Sequence, residues 1–287
     1  MRHAVLGPGG VGALVGAALA RAGHDVVLLL RPQSIAAYPG HIRVESAVLG
    51  TFAVEVPAMP GLERRIDVLW VTPKATGLEQ ALTLAPPENV GDALVVPLLN
   101  GLDHFEFLHR RYRRVTAGAI RVESERSPAW VVRQTSPFLR VDLGPGGDEI
   151  AADMRAAGME CTVRADDASV LWEKLAVLAP IALTTTALDA PMGGVRAEPA
   201  WLDLLERARS EVVAVARAEG VDVDESSVRT MHGSVPDSMR SSMQKDVATG
   251  REPELHAISD PILRGGDQHG IDVSATRKLA ELVAARR

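Results

Sequence analysis

Read from the amino terminus, the chain alternates short apolar runs with longer segments whose apolar positions recur at helical spacing. Ala4–Leu6 is an apolar run that stops at glycine. Val11–Ala22 is small and apolar and ends in Arg-Ala-Gly, which predicts a helix stopped by Gly23 at its C′ position. Val26–Leu30 is a continuous run of leucine and β-branched side chains, the pattern of a strand buried on both faces. Asp67–Thr72 and Ala93–Leu99 repeat it, and helices are predicted over Gly77–Leu84 and Asp103–Arg111. Strands alternating with helices predict a parallel, doubly wound sheet with right-handed crossovers.

From Thr116 to Leu143 the texture changes to shorter segments, Trp130–Arg133 and Phe138–Leu143, separated by polar turns. These predict antiparallel pairing, as a mixed extension of the same sheet. Gly144–Gly147 is a break, Ile150–Ala157 a further helix and Cys161–Arg164 a last short strand. After Asp166-Asp167, a candidate N-cap pair, strand signals almost vanish. Ser169–Leu178, Trp201–Glu219, Met239–Ala248, Glu254–His269 and Ser274–Ala285 all carry helical spacing. The reading is therefore an α/β domain over residues 1–165 and an all-helical domain over 166–287. The apolar stretch from Leu175 to Leu188 is broken by Pro180 and three threonines and reads as too short to span a bilayer.

Composition narrows the class. With 46% hydrophobic residues the chain has ample material for a packed core, and with only Phe 4, Trp 4 and Tyr 2 that core must be aliphatic. A single cysteine, Cys161, excludes an internal disulfide and a cysteine-based zinc site. A net charge of −6 argues against a general nucleic-acid binder. The Met1–His3 start runs directly into a strand pattern, leaving no signal peptide. A soluble, cytoplasmic protein with no membrane or nucleic-acid partner is expected.

Gly7-Pro8-Gly9-Gly10-Val11-Gly12 satisfies G-x-G-x-x-G. The string is weak in isolation, but here it follows a strand and opens a helix at the start of an alternating β/α region. The first glycine allows the tight turn, the second lets the backbone approach a pyrophosphate, and the third permits close helix–strand packing. The helix N-terminus adds free N–H groups. A merely tight turn is the alternative. At the end of the second strand an NAD site wants a carboxylate for the ribose 2′-OH. This chain instead has Leu30-Arg31-Pro32. A guanidinium pairs with a 2′-phosphate that a carboxylate would repel, so NADPH is the expected cofactor, with a surface arginine as the alternative.

Lys74 and Asn100 lie just beyond two further strands, and ligands of open parallel sheets sit outside those carboxyl ends. Lys74 is a candidate for the adenosine phosphate and Asn100 for the nicotinamide ribose or a substrate carbonyl. A surface lysine and an Asn-Gly turn are the bland readings. Lys174 stands in Leu171-Trp-Glu-Lys-Leu-Ala-Val177, a mostly apolar helix. Facing inward it would be desolvated toward a proton donor near neutrality; with Glu173 on a wet face it would merely snorkel. Ser241–Glu254 mixes hydroxyls and charges, and Glu252 and Glu254 suit a helix start. The eight histidines show no H-E-x-x-H or comparable spacing, so no metal is assigned, and no G-x-S-x-G elbow exists for a hydrolase.

These segments in this order resemble the ketopantoate reductase (2-dehydropantoate 2-reductase) family. The resemblance runs through VLGPGGVG, LLLRPQ, VTPKA, LLNG, LWEKLAV, SSMQKDVATGREPEL and HGIDVSATRKL, nearly the whole chain. The lysine motif with the SSM…GR…E segment is far more specific than the glycine loop. The resemblance implies a Rossmann domain, a helical domain of the 6-phosphogluconate-dehydrogenase type with the cleft between them, and hydride transfer from NADPH to a 2-keto acid. It implies Lys174 as general acid, Glu254 as the glutamate positioning it, and Ser242 and Asn100 as substrate contacts. Asn100 and Ser124 would also meet the cofactor, with Gly7, Pro8, Gly9, Gly10, Val11, Gly12, Arg31 and Lys74. The family commonly places asparagines four, eight and eighteen residues after the lysine, where this chain has Leu178, Ala182 and Met192. A substrate pocket more apolar than usual is expected, with Thr184–Thr186 as candidates to restore polarity. The reading is reduction of 2-dehydropantoate to pantoate in pantothenate biosynthesis; the same chemistry on a less polar keto substrate, or a silent NADPH-binding regulator, are the alternatives. Apolar C-terminal helices predict a homodimer.

Overall fold

The computed structural model describes residues 1–286, which form two compact units. The first comprises residues 1–99 and 104–170; the second comprises residues 100–103 and, of those described, 171–286.

The first unit is built on a five-stranded sheet in the order Ala58–Met59, Asp25–Leu29, Arg2–Leu6, Val68–Val71, Leu94–Pro97. All four pairings are parallel. Leu6 is in register with both Leu29 and Val71, so the central strands end together. Gly7, Leu30-Arg31 and Thr72–Lys74 thereby share one edge. The continuous apolar runs that predict these strands are there because both sheet faces are covered: Val5, Leu28 and Trp70 enter one cluster and Ala4, Leu29 and Leu69 another. The helix Gly10–Arg21 packs on the first of them through Ala13, Leu14, Ala17 and Ala18.

The region after Thr116 departs from expectation. It does not extend the main sheet but builds two others. Val131–Gln134 pairs in parallel with His41–Ser46, whose hairpin with Gly50–Glu55 the apolar pattern leaves unassigned, and antiparallel with Ser124–Arg126. Arg140–Leu143 pairs antiparallel with Gly118–Arg121 and in parallel with Glu160–Val163. At the other end of the central strand, His3 is fully buried and its Nδ1 accepts a hydrogen bond from Trp70 Nε1 (3.2 Å). That fixes the neutral ring's proton on Nε2, which faces Asp153 Oδ2 at 3.7 Å beside His24. Nothing in the spacing of the histidines reveals this trio.

One helix runs from Asp167 to Leu188, most of it (from Leu171) in the second unit, straight through Pro180 and ten residues past its expected end at Leu178. Proline removes the N–H that would serve the Ala176 carbonyl and opens that turn. The neighbouring Val177 carbonyl accepts from His232 Nε2 at 2.9 Å, and the Thr184 hydroxyl donates to the Pro180 carbonyl at 2.7 Å. The whole 22-residue helix, longer than the apolar stretch Leu175–Leu188, is long and apolar enough to cross a bilayer by composition, but 78% of its apolar window is buried within the protein. It is a core helix. Pro199–Ala218, Leu255–His269 and Ser274–Ala284 surround it with Val212, Ile258 and Leu279 in the same cluster. Two helices, Met192–Ala197 and Glu225–Ser234, are additional to those expected, and the segment Met239–Ala248 is helical only from Ser242 because Ser241 caps it. The buried Glu211 carboxylate accepts from the Ala275 and Thr276 amides and the Thr276 hydroxyl, capping the last helix. The apolar faces of these helices are turned on one another, and Leu282 is the one large apolar side chain exposed on them among the described residues. The argument for a dimer from uncovered helix faces therefore lapses.

Candidate active site

In the first unit the site begins at the glycine loop. Gly7 has φ +75°, and a Cβ there would press on Pro73 at 2.7–2.9 Å. A Cβ on Gly10 would overlap the Ser124 carbonyl, and one on Gly12 would overlap the Thr72 hydroxyl and crowd Val5. Gly9 differs: nothing lies closer than the Gly7 carbonyl oxygen at 3.9 Å, so its bare backbone faces open space. Three of the glycines are required by the protein's own packing, and Gly9 leaves room for a ligand's close approach. The helix starting at Gly10 has no side-chain cap and no acidic residue in its first turn. Ala13 N, bonded to Gly9 O at 3.0 Å, is the first amide served by the helix itself. Such an end suits a pyrophosphate.

Around this loop stand residues from distant segments. Ser124 Oγ donates to the Gly10 carbonyl at 2.9 Å, bracing the loop. Arg126, which the sequence reading passes over, donates from Nε to the Pro8 carbonyl at 2.9 Å and stacks its guanidinium 4.2 Å from the Trp130 ring. Burial lowers its pKa from the free value, yet it remains a cation held against the loop. Val11 packs on the core. Arg31 is exposed at the end of its strand, its carbonyl starting the short helix Pro32–Ile35. Lys74 is exposed and follows the strand Val68–Val71.

The second unit brings together what lies 154 residues apart in sequence: Asn100 Nδ2 donates to Glu254 Oε2 at 3.0 Å. Gly101, at φ +85°, makes this approach feasible, because a Cβ there would overlap the Ala257 carbonyl. The Asn-Gly pair is thus both a turn and a side-chain clamp. Glu254 precedes the helix Leu255–His269 and is 8% exposed; Lys174, on the long helix, is 9% exposed. A lysine and a carboxylate so nearly withdrawn from water form a donor set able to hold and move a proton.

The residues following Lys174 are apolar or closed. Leu178, one turn on, is half-buried; Ala182 is buried, and Met192 leaves this helix altogether for a separate cluster with Ile181, Val195 and Leu205. Thr184, Thr185 and Thr186 do not restore polarity. Each donates to the carbonyl four residues back at 2.6–2.7 Å. Ser242 is exposed at a helix start, whereas its neighbour Ser241 is buried, capping Gln244 N and bonding Thr185 Oγ1 at 2.9 Å.

Two family descriptions match the chain: "Ketopantoate reductase PanE/ApbA" over residues 3–147 and "Ketopantoate reductase PanE/ApbA C terminal" over residues 168–287. A protein of Halobacterium salinarum named 2-dehydropantoate 2-reductase is 31% identical, with 99% of this chain and 98% of that protein aligned. The crystal structure of 2-dehydropantoate 2-reductase from Geobacter metallireducens is similar over the full length of both chains, with a TM-score of 0.90 and 27% identity. The fold is also that of D-mandelate dehydrogenase, solved with NADH and anilino(oxo)acetate, at a TM-score of 0.88 and 21% identity over 100% of this chain and 98% of that one. A glycine loop on a parallel sheet, joined to a helical unit with a buried lysine and glutamate, and matched by both halves of one family over nearly its whole length, makes this chain a member of the ketopantoate reductase family, dinucleotide-dependent oxidoreductases acting on CH–OH groups.

Proposed function

We propose that the protein reduces the keto group of a 2-oxo acid of the 2-dehydropantoate type, with NADPH as hydride donor. The observation that carries this reading is the Asn100–Glu254 hydrogen bond, which fixes a buried carboxylate in the same unit as the buried Lys174. When bound, the nicotinamide supplies the hydride that reaches C2 of the acid. Lys174 donates a proton to the keto oxygen as negative charge develops there, so that keto acid, hydride and proton give the 2-hydroxy acid without a free alkoxide. Glu254 balances the ammonium charge in a nearly dry setting and keeps the amine oriented, while Asn100 holds Glu254.

On the cofactor side, Gly7–Gly12 would hold the pyrophosphate, with Lys74 as a further cation. Ser124 and Arg126 would act through the loop they brace. Arg31 supports NADPH over NADH: its guanidinium is exposed and, among the described residues, lies within bonding distance of no carboxylate. The test is NADPH oxidation with 2-dehydropantoate, read by absorbance, beside Lys174→Ala. Turnover that falls by about 10³-fold or more in the variant, with NADPH binding retained, is the expected result. Turnover that survives the substitution refutes the assignment of Lys174.

A further inference from the structure

Arg126 and Trp130 belong to the first unit and to no motif, yet an unfavourable backbone conformation is held in place to bring them to the glycine loop. Ser124–Arg126 and Val131–Gln134 form a hairpin closed by Pro128-Ala129-Trp130, with Trp130 N donating to Ser127 O at 3.1 Å and Ser127 N to Val131 O at 2.9 Å. The last residue of such a loop is left-handed, a conformation that glycine adopts at no steric cost. Here it is tryptophan, at φ +58°. Among the described non-glycine residues only Asp189 shares a positive φ. A bulky side chain kept in that region points to a role that the surrounding structure enforces.

The strained turn yields a stack. The Trp130 ring, 4% exposed, lies 4.4 Å from the Tyr38 ring and 4.2 Å from the Arg126 guanidinium. Arg126 donates from Nε to the Pro8 carbonyl at 2.9 Å and from Nη1 to the Ser127 carbonyl at 3.2 Å. The Pro8–Gly9 peptide is thereby held at both ends, its N–H donating to Gly7 O at 2.7 Å. Arg2, Arg64, Arg114 and Arg121 of the same unit each meet a carboxylate, whereas half-buried Arg126 meets none among the described residues. A cation without a counter-charge therefore stands against a loop whose helix start is itself uncapped and carries no acidic residue. We propose that Arg126, seated on the Trp130 ring, is a positioning residue for the pyrophosphate common to both nicotinamide dinucleotides: it fixes the Pro8–Gly9 peptide of the loop and adds positive charge to the loop's field. This rests on the reading of Gly7–Gly12 as the pyrophosphate site and gives that site a cation from outside the motif. Arg31 differs, because its proposed partner, the 2′-phosphate, is carried by NADPH alone.

Fluorescence titration of the full-length protein with NADPH and with NADH, over a range of salt concentrations, tests this. Arg126→Gln should weaken both dinucleotides by about tenfold, alike to within about twofold, and flatten the fall of affinity with salt. Arg126→Lys keeps the charge but not the planar fork, so it should restore the salt dependence and only part of the affinity. Trp130→Leu keeps an apolar side chain and loses the ring. It should weaken both dinucleotides severalfold, and combined with Arg126→Gln the loss should fall short of the product of the two, because each change disables the same stack. Where Trp130→Leu does not fold, the two Arg126 variants decide alone. An Arg126→Gln loss confined to NADPH, an affinity within about twofold of wild type for both dinucleotides, or losses that multiply in the double variant overturn the inference and leave the glycine loop as the site. Wild-type protein that binds neither dinucleotide removes the reading of the loop, and the inference with it.

Discussion

Each unit contains a histidine that folding keeps neutral, and both add to the protein's loss of stability in acid. His3 is fully buried under Trp70, and burial, aided by the neighbouring His24, lowers its pKa to about 4. His232 is 4% exposed, and burial together with Arg209 and Arg196 lowers its pKa to about 4 against the opposing pull of the Val177 carbonyl. A histidine near 6.5 when unfolded and near 4 when folded makes the unfolded chain bind a proton that the native state refuses. Stability is thus fully present above pH 6.5 and declines as pH falls toward 4, by about 1.4 kcal/mol per pH unit for each histidine. Each accounts for about 3 kcal/mol over that window, a large share of a typical domain's 5–15 kcal/mol.

The perturbation is His3→Gln and, separately, His232→Gln, which keep a polar side chain and remove the titration. Urea unfolding at a series of pH values, read by tryptophan fluorescence, gives the free energy. Trp70 and Trp130 report the first unit and Trp172 and Trp201 the second. Each variant is expected to be less stable than wild type at pH 7, with the gap closing by about 3 kcal/mol between pH 7 and pH 4. Acid loss from the carboxylates is common to both proteins and cancels in the comparison. Wild-type and variant curves that stay parallel across the window would show that the histidine is not held neutral by the fold.

Three further outcomes follow from the site. Gly10→Ala drives a methyl into the Ser124 carbonyl and should lower stability by about 1–3 kcal/mol, whereas Gly9→Ala meets nothing closer than the Gly7 carbonyl oxygen at 3.9 Å and should fold as wild type yet bind NADPH at least about tenfold more weakly; calorimetric melting beside cofactor titration separates the two. Arg31→Glu should weaken NADPH by about 10–100-fold and leave NADH nearly unchanged, measured by fluorescence titration of both, and equal losses would remove Arg31 from phosphate recognition. Glu254→Gln, by deleting the charge that Asn100 holds, should reduce kcat roughly a hundredfold and shift its pH profile, with NADPH affinity within about twofold of wild type.

How far the sequence carries the fold follows from what each element is packed against. Val26–Leu30, Asp67–Thr72 and Ala93–Leu99 are legible because a strand covered on both faces writes its burial as an unbroken apolar run. His41–Ser46 is not, because its partners are Gly50–Glu55 on one side and Val131–Gln134 on the other, and only Ile42 and Val44 face inward. Pro180 reads as a stop because local chemistry says so. The helix nonetheless continues to Leu188, and its contact from His232 to the Val177 carbonyl, 55 positions away, lies outside any window of neighbouring residues.

The candidate site divides along the same line. Its backbone cradle is local, so six residues in a row, Gly7–Gly12, announce it, and the reason for each glycine except Gly9 is an atom of Pro73, Ser124 or Thr72. Its side-chain chemistry is assembled from Asn100, Lys174 and Glu254, which reach one unit only because residues 100–103 leave the sheet unit and cluster with the helices. Arg126 reaches Pro8 across 118 positions and gives no signal of its own. The threonines show the limit most sharply, since in the sequence Thr184–Thr186 stand as candidates to restore polarity to an otherwise apolar pocket. Geometry assigns every one of those protons to a carbonyl of the preceding turn. Polarity toward a ligand is therefore a property of unsatisfied groups, not of residue types, and in this helix the satisfaction is internal.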